Sequence, residues 1–253
     1  FSDIRGFTSI SEKMSPGDLV YSLNRYFENM VAPIVEHNGI VDKYIGDAIK
    51  AFFGARVDPA RKENFALASV RAGLEMMERL VSFNAEQTAA GRPEFKNGVG
   101  ISYAVVTIGN IGTDKKKEYT VIGETADLAE HLESLTKEYK QPLIVSESVH
   151  LKVKDDVPCR LLDSIPWRGG RSLKIYTARR ALESREKEAW GVHNRGMAEY
   201  HERSFAEAAA CFRDVLRLLP GDHPASLVLE RCTRFEKTPP PSDWTGTEVR
   251  QAT

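Results

Sequence analysis

Apolar residues recur at spacings of three and four along residues 15–37, and this spacing predicts a helix with one buried face. The residues on that face are Leu19, Leu23, Tyr26, Phe27, Met30, Ile34 and Val35. Ser15 followed by Pro16 predicts the N-cap and the first turn, because proline fixes a helical φ where no backbone N–H is needed. The helix is expected to end at Asn38-Gly39.

Short apolar runs along the first 180 residues predict a sheet. The run from Ile40 to Phe53 is interrupted by Ile45-Gly46-Asp47, which predicts a hairpin with a tight turn that needs the glycine. Further strands are predicted at 98–108, 119–123, 142–146 and 172–178, and further helices at 61–86 and 126–137. This order predicts an α+β fold with a ferredoxin-like βαββαβ core, in which helices cover one face of an antiparallel sheet.

The chain from about Glu183 onward predicts an all-α helical hairpin over residues 187–235. Small and aromatic residues stand there at the offsets of a tetratricopeptide (TPR) repeat, and they are Gly196, Phe205, Ala208, Phe212 and Pro220. One repeat cannot bury its faces alone, so we expect this TPR-like segment to pack on the core or on a partner. Residues 236–253 contain three consecutive prolines and are predicted to form an extended tail.

The charge balance excludes some classes of partner. The 253 residues carry 35 Lys and Arg against 36 Asp and Glu, a net charge of −1. No bulk positive charge attracts nucleic acid or an acidic membrane surface, so an anionic substrate needs a local cationic cluster. The three cysteines, Cys159, Cys211 and Cys232, are odd in number and far apart, which favours neither a disulfide framework nor a zinc site. A reducing compartment is therefore expected.

Two aspartates next to predicted turns are candidates for metal binding. Asp3 closes an apolar strand before the glycine turn Gly6-Phe7-Thr8, where backbone N–H groups are free to face phosphate. Asp47 stands at the tip of the predicted hairpin. Carboxylates on neighbouring strand ends suit Mg²⁺ or Mn²⁺, which prefer oxygen ligands and commonly bridge phosphates. The alternative is that each aspartate only caps the backbone of a turn.

Four sequence blocks, in this order and spacing, resemble the class III adenylate/guanylate cyclase catalytic domain over residues 1–180. They read Phe1-Ser-Asp-Ile-Arg-Gly-Phe-Thr8, Val41-Asp-Lys-Tyr-Ile-Gly-Asp-Ala-Ile49 with Ala51-Phe-Phe-Gly54, Gly109-Asn-Ile-Gly112 and Glu118-Tyr-Thr-Val-Ile-Gly123. A helical segment such as 187–235 often follows domains of this family.

The resemblance implies a reaction at the interface of two domains paired head to tail, as a homodimer or as a heterodimer with another cyclase domain. Asp3, Asp47 and the carbonyl of Ile4 would bind two Mg²⁺ or Mn²⁺ ions in one domain. In the other domain Lys43 would meet adenine N1 and Thr120 the exocyclic amine. A cation and a hydroxyl acceptor suit the edge of adenine, whereas guanine presents the reverse pattern. The resemblance is therefore to the adenylate type, which makes cyclic AMP and pyrophosphate from ATP.

Two basic residues match the family positions that contact the phosphates. Lys115 stands four residues before Tyr119, and Arg168 precedes Gly169. The alternative for residues 115–117 is a solvated charged turn, which is the better interpretation for at least two of the three lysines.

Asp127 and His131 depart from the family pattern, which has Asn and Arg at these positions on one face of a helix. The Asn positions the ribose, and the Arg stabilises charge on the α-phosphate. A pairing of Asp127 with His131, one helical turn apart, would raise the pKa of His131 and make it a partial cation. The alternative for these two residues is an ordinary exposed pair. A domain that has lost the Asn and the Arg could bind nucleotide or another cyclase chain without turnover. A third alternative is a scaffold whose helical repeat recruits a protein, although one repeat offers little concave surface.

The chain begins at Phe1 inside a predicted buried strand, and no stretch approaches 18 apolar residues. We therefore expect an upstream sensor or membrane segment in the full-length protein. The domain is expected in the cytoplasm, or on the cytoplasmic side of a membrane.

Overall fold

The computed structural model describes residues 1–55 and 63–247. Caps and turns in the sequence determine where most of its helices and strands begin and end. The chain divides into one unit from Phe1 to Asp156 and a second that begins at Val157. The first unit contains β1 (Ser2–Ile4), α1 (Phe7–Ser11), α2 (Pro16–Glu36), β2 (Gly39–Ile45), β3 (Ala48–Phe53), α3 (Phe65–Ala89), β4 (Asn97–Ile101), β5 (Thr107–Thr113), β6 (Lys116–Ile122), α4 (Glu124–Tyr139), β7 (Leu143–Ser146) and α5 (Glu147–Val153).

The helix and hairpin predicted at the N-terminal end are confirmed. The Ser15 side chain caps α2 by accepting a hydrogen bond from the backbone N–H of Asp18 at 3.1 Å. Helix α3 begins later than predicted, after the cap residue Asn64, and positions 61 and 62 of the prediction lie outside the described residues. The predicted strand 98–108 is two strands, because β4 ends at Ile101 and β5 begins at Thr107.

The strands of the first unit form a sheet in the order β2-β3-β1-β4-β7, and β5 and β6 form a separate hairpin. The order β2-β3-β1-β4 is that of a ferredoxin-like βαββαβ core, so the α+β class is confirmed. The prediction of an antiparallel sheet is wrong at one pair, since β4 and β7 run parallel. Helix α4 connects the β5–β6 hairpin to β7 and makes that parallel crossover possible.

Helices cover both faces of this sheet, and the prediction of a single covered face is wrong. Successive residues of β4 point to opposite faces. A Cβ atom on Gly73 of α3 would lie 3.5 Å from Val99 Cγ1, whereas a Cβ on Gly100 would lie 2.1 Å from the Ala129 carbonyl oxygen of α4. Glycine at position 100 therefore allows the backbone of α4 to lie directly on β4.

The second unit contains a β-hairpin and three helices. Its elements are β8 (Cys159–Trp167), β9 (Arg171–Ala178), α6 (Ser184–His201), α7 (Phe205–Leu218) and α8 (His223–Lys237). The predicted two-helix hairpin is thus followed by a third helix, and the TPR-like character of the segment stays a prediction. Gly196 brings α6 close to α7, since a Cβ there would lie 2.9 Å from Cys211 Cβ.

Buried ion pairs and an aromatic cluster hold the second unit together. Arg160 Nη1 lies 2.7 Å from Asp222 Oδ2, and Arg231 Nη1 lies 2.7 Å from Asp163 Oδ2. The aromatic cluster consists of Tyr200, Phe205, Phe235 and, from the region predicted as an extended tail, Trp244. Part of that region therefore packs on the helices, and its last residues, 248–253, lie outside the described part of the chain.

We expect Gly100→Ala to lower the free energy of unfolding of the first unit by about 1–3 kcal/mol, the usual cost of overpacking. The added methyl group meets backbone atoms of α4, which cannot move aside as a flexible side chain can. Denaturant unfolding measures this change. Gly17→Ala is the matched control, because a Cβ at Gly17 meets nothing within 4 Å, and equal destabilisation by both substitutions would contradict the close approach of α4.

Candidate active site

Strand pairing brings Asp3, Ile4 and Asp47 to one place. Strands β1 and β3 pair antiparallel with Ser2 opposite Ile49, so the carboxyl end of β1 lies beside the β2–β3 turn. Gly46 adopts a φ of 64°, a left-handed conformation that glycine adopts without strain and that closes this turn. Both carboxylates are half-buried. The predicted grouping of two acidic side chains on neighbouring strand ends is therefore present in the structure.

The two carboxylates of this acidic pair repel each other. Burial and the negative charge of Asp3 raise the pKa of Asp47 to about 6, while a hydrogen bond with the Ile4 backbone acts in the opposite direction. The Oδ2 atom of Asp47 is buried and accepts no hydrogen bond. Polar atoms rarely stay buried in this state, so the oxygen is available to a ligand.

The donor set fits Mg²⁺ or Mn²⁺. Two carboxylates and the carbonyl of Ile4 are oxygen ligands of the kind that these ions prefer. Across the described ranges 1–55 and 63–247, no group of three or more His, Cys, Asp or Glu side chains converges. Protein ligands to a metal at this place would thus be few, which is usual where substrate phosphates complete the coordination.

Two residues of α4 near the acidic pair were missed in the sequence. Lys137 Nζ lies 4.0 Å from Asp3 Oδ2. Glu133 is buried, and burial together with the charge of Asp3 raises its pKa. The two residues are four positions apart and therefore lie on one face of the helix. This spacing points to the acidic pair only when the position of α4 beside β1 is known.

The predicted base-recognition residues lie together on β2 and the β5–β6 hairpin. Lys43 Nζ donates to Glu118 Oε2 at 2.5 Å, and this hydrogen bond raises the pKa of Lys43. The Thr120 hydroxyl, on β6, donates to Asp42 Oδ2 at 2.9 Å. Asp42 and Glu118 were missed, because polar residues alternating along two strands carry no sign of which partner they will face.

The predicted phosphate-binding residues occupy exposed turns and a helix start. Phe7 and Thr8 begin α1 directly after Gly6, whose φ of 68° turns the chain into the helix. Lys115 is exposed at the tip of the β5–β6 hairpin. Arg168 belongs to the second unit, in the turn between β8 and β9, with its guanidinium carbon 5.4 Å from the centre of the Trp167 ring.

Asp127 and His131 lie on α4, as predicted, but the expected rise in the pKa of His131 is wrong. Asp127 is exposed in the first turn of the helix, where a negative charge interacts favourably with the helix dipole. His131 is half-buried, and burial lowers its pKa below the ordinary value of 6.5. Desolvation disfavours the imidazolium form, so His131 is mostly neutral at pH 7 and is a poor substitute for arginine.

Within one chain, the acidic pair and the base-recognition residues have separate surroundings. Asp47 interacts with Asp3 and Ile4, whereas Lys43 interacts with Glu118. Strand β2 of the hairpin thus contacts β6, whereas the β2–β3 turn lies beside β1.

Comparison with known proteins agrees with this geometry. The family model described as the adenylate and guanylate cyclase catalytic domain matches residues 1–179. Adenylate cyclase 1 of Rhizobium meliloti (strain 1021) is 34% identical over 177 residues, which cover 70% of this chain and 26% of that protein. The chain therefore belongs to the adenylate and guanylate cyclase catalytic domain family.

Solved structures support the same class. The adenylyl cyclase CyaB from P. aeruginosa superimposes with a TM-score of 0.64 and 32% identity, covering 72% of this chain and 94% of that chain. The guanylyl cyclase Cya2 gives a TM-score of 0.62 and 32% identity, covering 72% and 91%. Similarity to an adenylyl cyclase and to a guanylyl cyclase shows the cyclase fold. Selectivity for adenine or guanine therefore has to be argued from the residues of the site.

The chain spans between 11% and 35% of the length of three curated relatives that it matches. No helix among the described residues is both long enough and apolar enough to cross a membrane.

We expect Asp47→Asn to stabilise the metal-free protein at pH 7.5. The pKa of Asp47 is raised in the folded state, so the protonated form stabilises the fold below about pH 4, and this contribution is lost as the pH rises through 6. Thermal unfolding in EDTA should show an advantage of the variant at pH 7.5 that shrinks at pH 4.5. Asp155→Asn, at an exposed acid, is the control, and a lower midpoint for Asp47→Asn at pH 7.5 would contradict the repulsion.

Proposed function

We propose that residues 1–180 form the catalytic domain of an adenylate cyclase that converts ATP into 3′,5′-cyclic AMP and pyrophosphate. The observation that carries this proposal is the acidic pair, in which Asp47 has a raised pKa and a buried oxygen without a hydrogen-bond partner. Such a pair has no stabilising role in the fold by itself. It suits a divalent cation that arrives with a triphosphate.

The separation of the two residue sets supports a dimeric site. Lys43 and Thr120 lie on β2 and β6, and Asp3 and Asp47 interact elsewhere. In a head-to-tail homodimer, or in a heterodimer with another cyclase domain, the acidic pair of one chain would face the base-recognition residues of the other. This arrangement would give two equivalent active sites in the homodimer.

In the proposed reaction the ribose 3′ oxygen attacks the α-phosphorus. A new P–O bond forms, the bond to pyrophosphate breaks, and the 3′ hydroxyl gives its proton to solvent water. Two Mg²⁺ or Mn²⁺ ions, held by Asp3, Asp47 and the Ile4 carbonyl, would lower the pKa of that hydroxyl and offset phosphate charge. The chain itself orients the substrate, with Lys43 and Thr120 on the base.

Other residues of the chain would hold the triphosphate. The backbone N–H groups of Phe7 and Thr8 are free at the start of α1, and Lys115 is an exposed cation on a hairpin tip. The family resemblance also assigns a phosphate contact to Arg168, which lies in the turn between β8 and β9. With a net charge of −1 for the chain, these local groups and the metal ions supply the positive charge that the substrate needs.

A catalytically degenerate domain is the second candidate, and the properties of α4 favour it. Asp127 and His131 stand where the family has Asn and Arg, and burial lowers the pKa of His131. Loss of one preorganised transition-state donor costs about 2.7–4 kcal/mol, or roughly 10²–10³ in rate. Two such losses in each site would leave a nucleotide-binding or dimerisation module with little turnover.

In the full-length protein an upstream sensor or membrane segment would adjust the dimer. The domain would work in the cytoplasm, or on the cytoplasmic side of a membrane, where ATP is available.

The purified dimer should form cyclic AMP from ATP with Mn²⁺, and Asp47→Ala should reduce the rate at least 100-fold, because a metal ligand is removed. A radiometric or immunochemical cyclic AMP assay measures this. Asp155→Ala, at an exposed acid of the same unit, should keep the wild-type rate. Wild-type activity that survives Asp47→Ala would exclude the two-metal site.

The double variant Asp127→Asn/His131→Arg separates the two candidates. We expect it to be about 10²-fold faster than the wild type or more, since it restores two polar groups at the transition state. Activity that appears only in this variant would establish the degenerate domain.

The pH dependence tests the state of His131. Two proteins are compared, the double variant Asp127→Asn/His131→Arg and the single variant Asp127→Asn, which keeps His131. The rate of the double variant divided by that of the single variant should stay constant from pH 8 to 6.5 and fall below 6.5. The reason is that burial lowers the pKa of His131, so the imidazolium form accumulates only at lower pH. The ratio cancels any effect of pH on metal binding, and a ratio that already falls between pH 8 and 7 would contradict a lowered pKa.

A further inference from the structure

Asp42 lies beneath the base-recognition residues, and its side chain is fully buried at 0% exposure. Its Oδ2 atom accepts a hydrogen bond from the Thr120 hydroxyl at 2.9 Å and lies 3.2 Å from Lys50 Nζ. Lys50 Nζ also donates to the Val121 carbonyl at 3.3 Å. These contacts join β2, β3 and β6 into one polar network directly behind Thr120.

The direction of the bond between Thr120 and Asp42 is determined by chemistry. An ionised carboxylate has no proton and can only accept, while a threonine hydroxyl has one proton and two lone pairs. Asp42 Oδ2 also lies 3.2 Å from the ammonium group of Lys50, so this oxygen faces two hydrogen-bond donors. The single proton of Thr120 therefore points to Asp42, and the hydroxyl has only lone pairs left for a ligand.

This polarity matters for the choice of base. A freely rotating hydroxyl can accept from the exocyclic amine of adenine or donate to the carbonyl oxygen of guanine, so threonine alone discriminates little. A hydroxyl whose proton is held by a buried carboxylate can only accept. It then attracts the amine of adenine and repels the carbonyl oxygen of guanine.

We propose that Asp42 is a positioning residue that fixes the Thr120 hydroxyl as a hydrogen-bond acceptor and thereby makes the base pocket selective for adenine over guanine. The inference rests on the proposed nucleotide site but not on turnover. Mismatched buried polar groups typically change affinity on the order of 10- to 100-fold, so the selectivity that Asp42 contributes is expected in this range.

The test is equilibrium binding of α,β-methylene ATP and α,β-methylene GTP to the purified dimer with Mn²⁺, since neither analogue can be cyclised. The measured quantity is the ratio of the Kd for the GTP analogue to the Kd for the ATP analogue. Asp42→Asn keeps the size of the side chain, but its amide can donate to Thr120 and release the hydroxyl proton. We expect this ratio to fall at least tenfold, with weaker binding of the ATP analogue and tighter binding of the GTP analogue.

Variants at Thr120 show whether Asp42 acts through the hydroxyl. Thr120→Ser keeps the hydroxyl and should keep the wild-type ratio, whereas Thr120→Val should lower it. In the Thr120→Val background, Asp42→Asn should change the ratio less than twofold. An equal effect of Asp42→Asn with and without the hydroxyl would overturn the proposal, because a merely structural role would act in both backgrounds.

Lys50→Gln is a second route to the same readout if Asp42→Asn does not fold. Lys50 is 21% exposed, so we expect substitution there to disturb the fold less than substitution of the buried aspartate. Lys50 Nζ holds Asp42 Oδ2 at 3.2 Å, and loss of this contact frees the carboxylate to turn away from the Thr120 hydroxyl, so the ratio should again fall. Asp155→Asn is the remote control.

The outcomes separate this inference from the proposed function. A wild type that prefers the ATP analogue and loses this preference in Asp42→Asn, yet forms no cyclic AMP, would refute the enzyme and support Asp42. A wild type that binds both analogues equally, or neither, would overturn the role of Asp42. A preference that is unchanged in both Asp42→Asn and Lys50→Gln would overturn it as well.

Discussion

The pairing of the short central strand β1 on both of its edges is the constraint on which the site depends. Pairing with β3 brings Asp3 and Ile4 beside the turn that carries Asp47. Pairing with β4, with Asp3 opposite Gly98, brings the same residues near α4, which packs on β4 because Gly98 and Gly100 carry no side chain. A three-residue strand thus fixes the distance between two carboxylates and a helix from distant parts of the chain.

Two polar clusters in the first unit differ in how their carboxylates are neutralised. The carboxylates of Asp3 and Asp47 repel each other, and the pKa of Asp47 is raised to about 6. The buried carboxylate of Asp42 instead has Lys50 and Thr120 as partners within the chain. The first cluster leaves a place for an external cation. In the second, Oδ2 of Asp42 is paired within the chain, and its Oδ1 atom is buried without a hydrogen-bond partner.

The elements that sequence reasoning missed depend on charges that are buried in pairs. Strand β8 contains Arg160 and Asp163, which a pattern of hydrophobic and polar positions assigns to solvent. Both side chains are buried because Asp222 and Arg231, 62 and 68 residues later in the chain, neutralise them. No local signal identifies such partners. The third helix, which carries Arg231, lies within the predicted helical segment 187–235 but was not predicted as a separate helix.

The sequence by itself determined the ends of α2, the β2–β3 hairpin, the α+β class and the cyclase family, because caps, turns and the four motif blocks are local features. It also identified the acidic pair, Lys43 and Thr120 as candidate site residues. Only the tertiary structure decided that α4 covers the second face of the sheet, that burial makes His131 a weaker base, and that Asp42 holds the proton of Thr120. These properties depend on desolvation and on partners distant in sequence, which residue spacing does not encode.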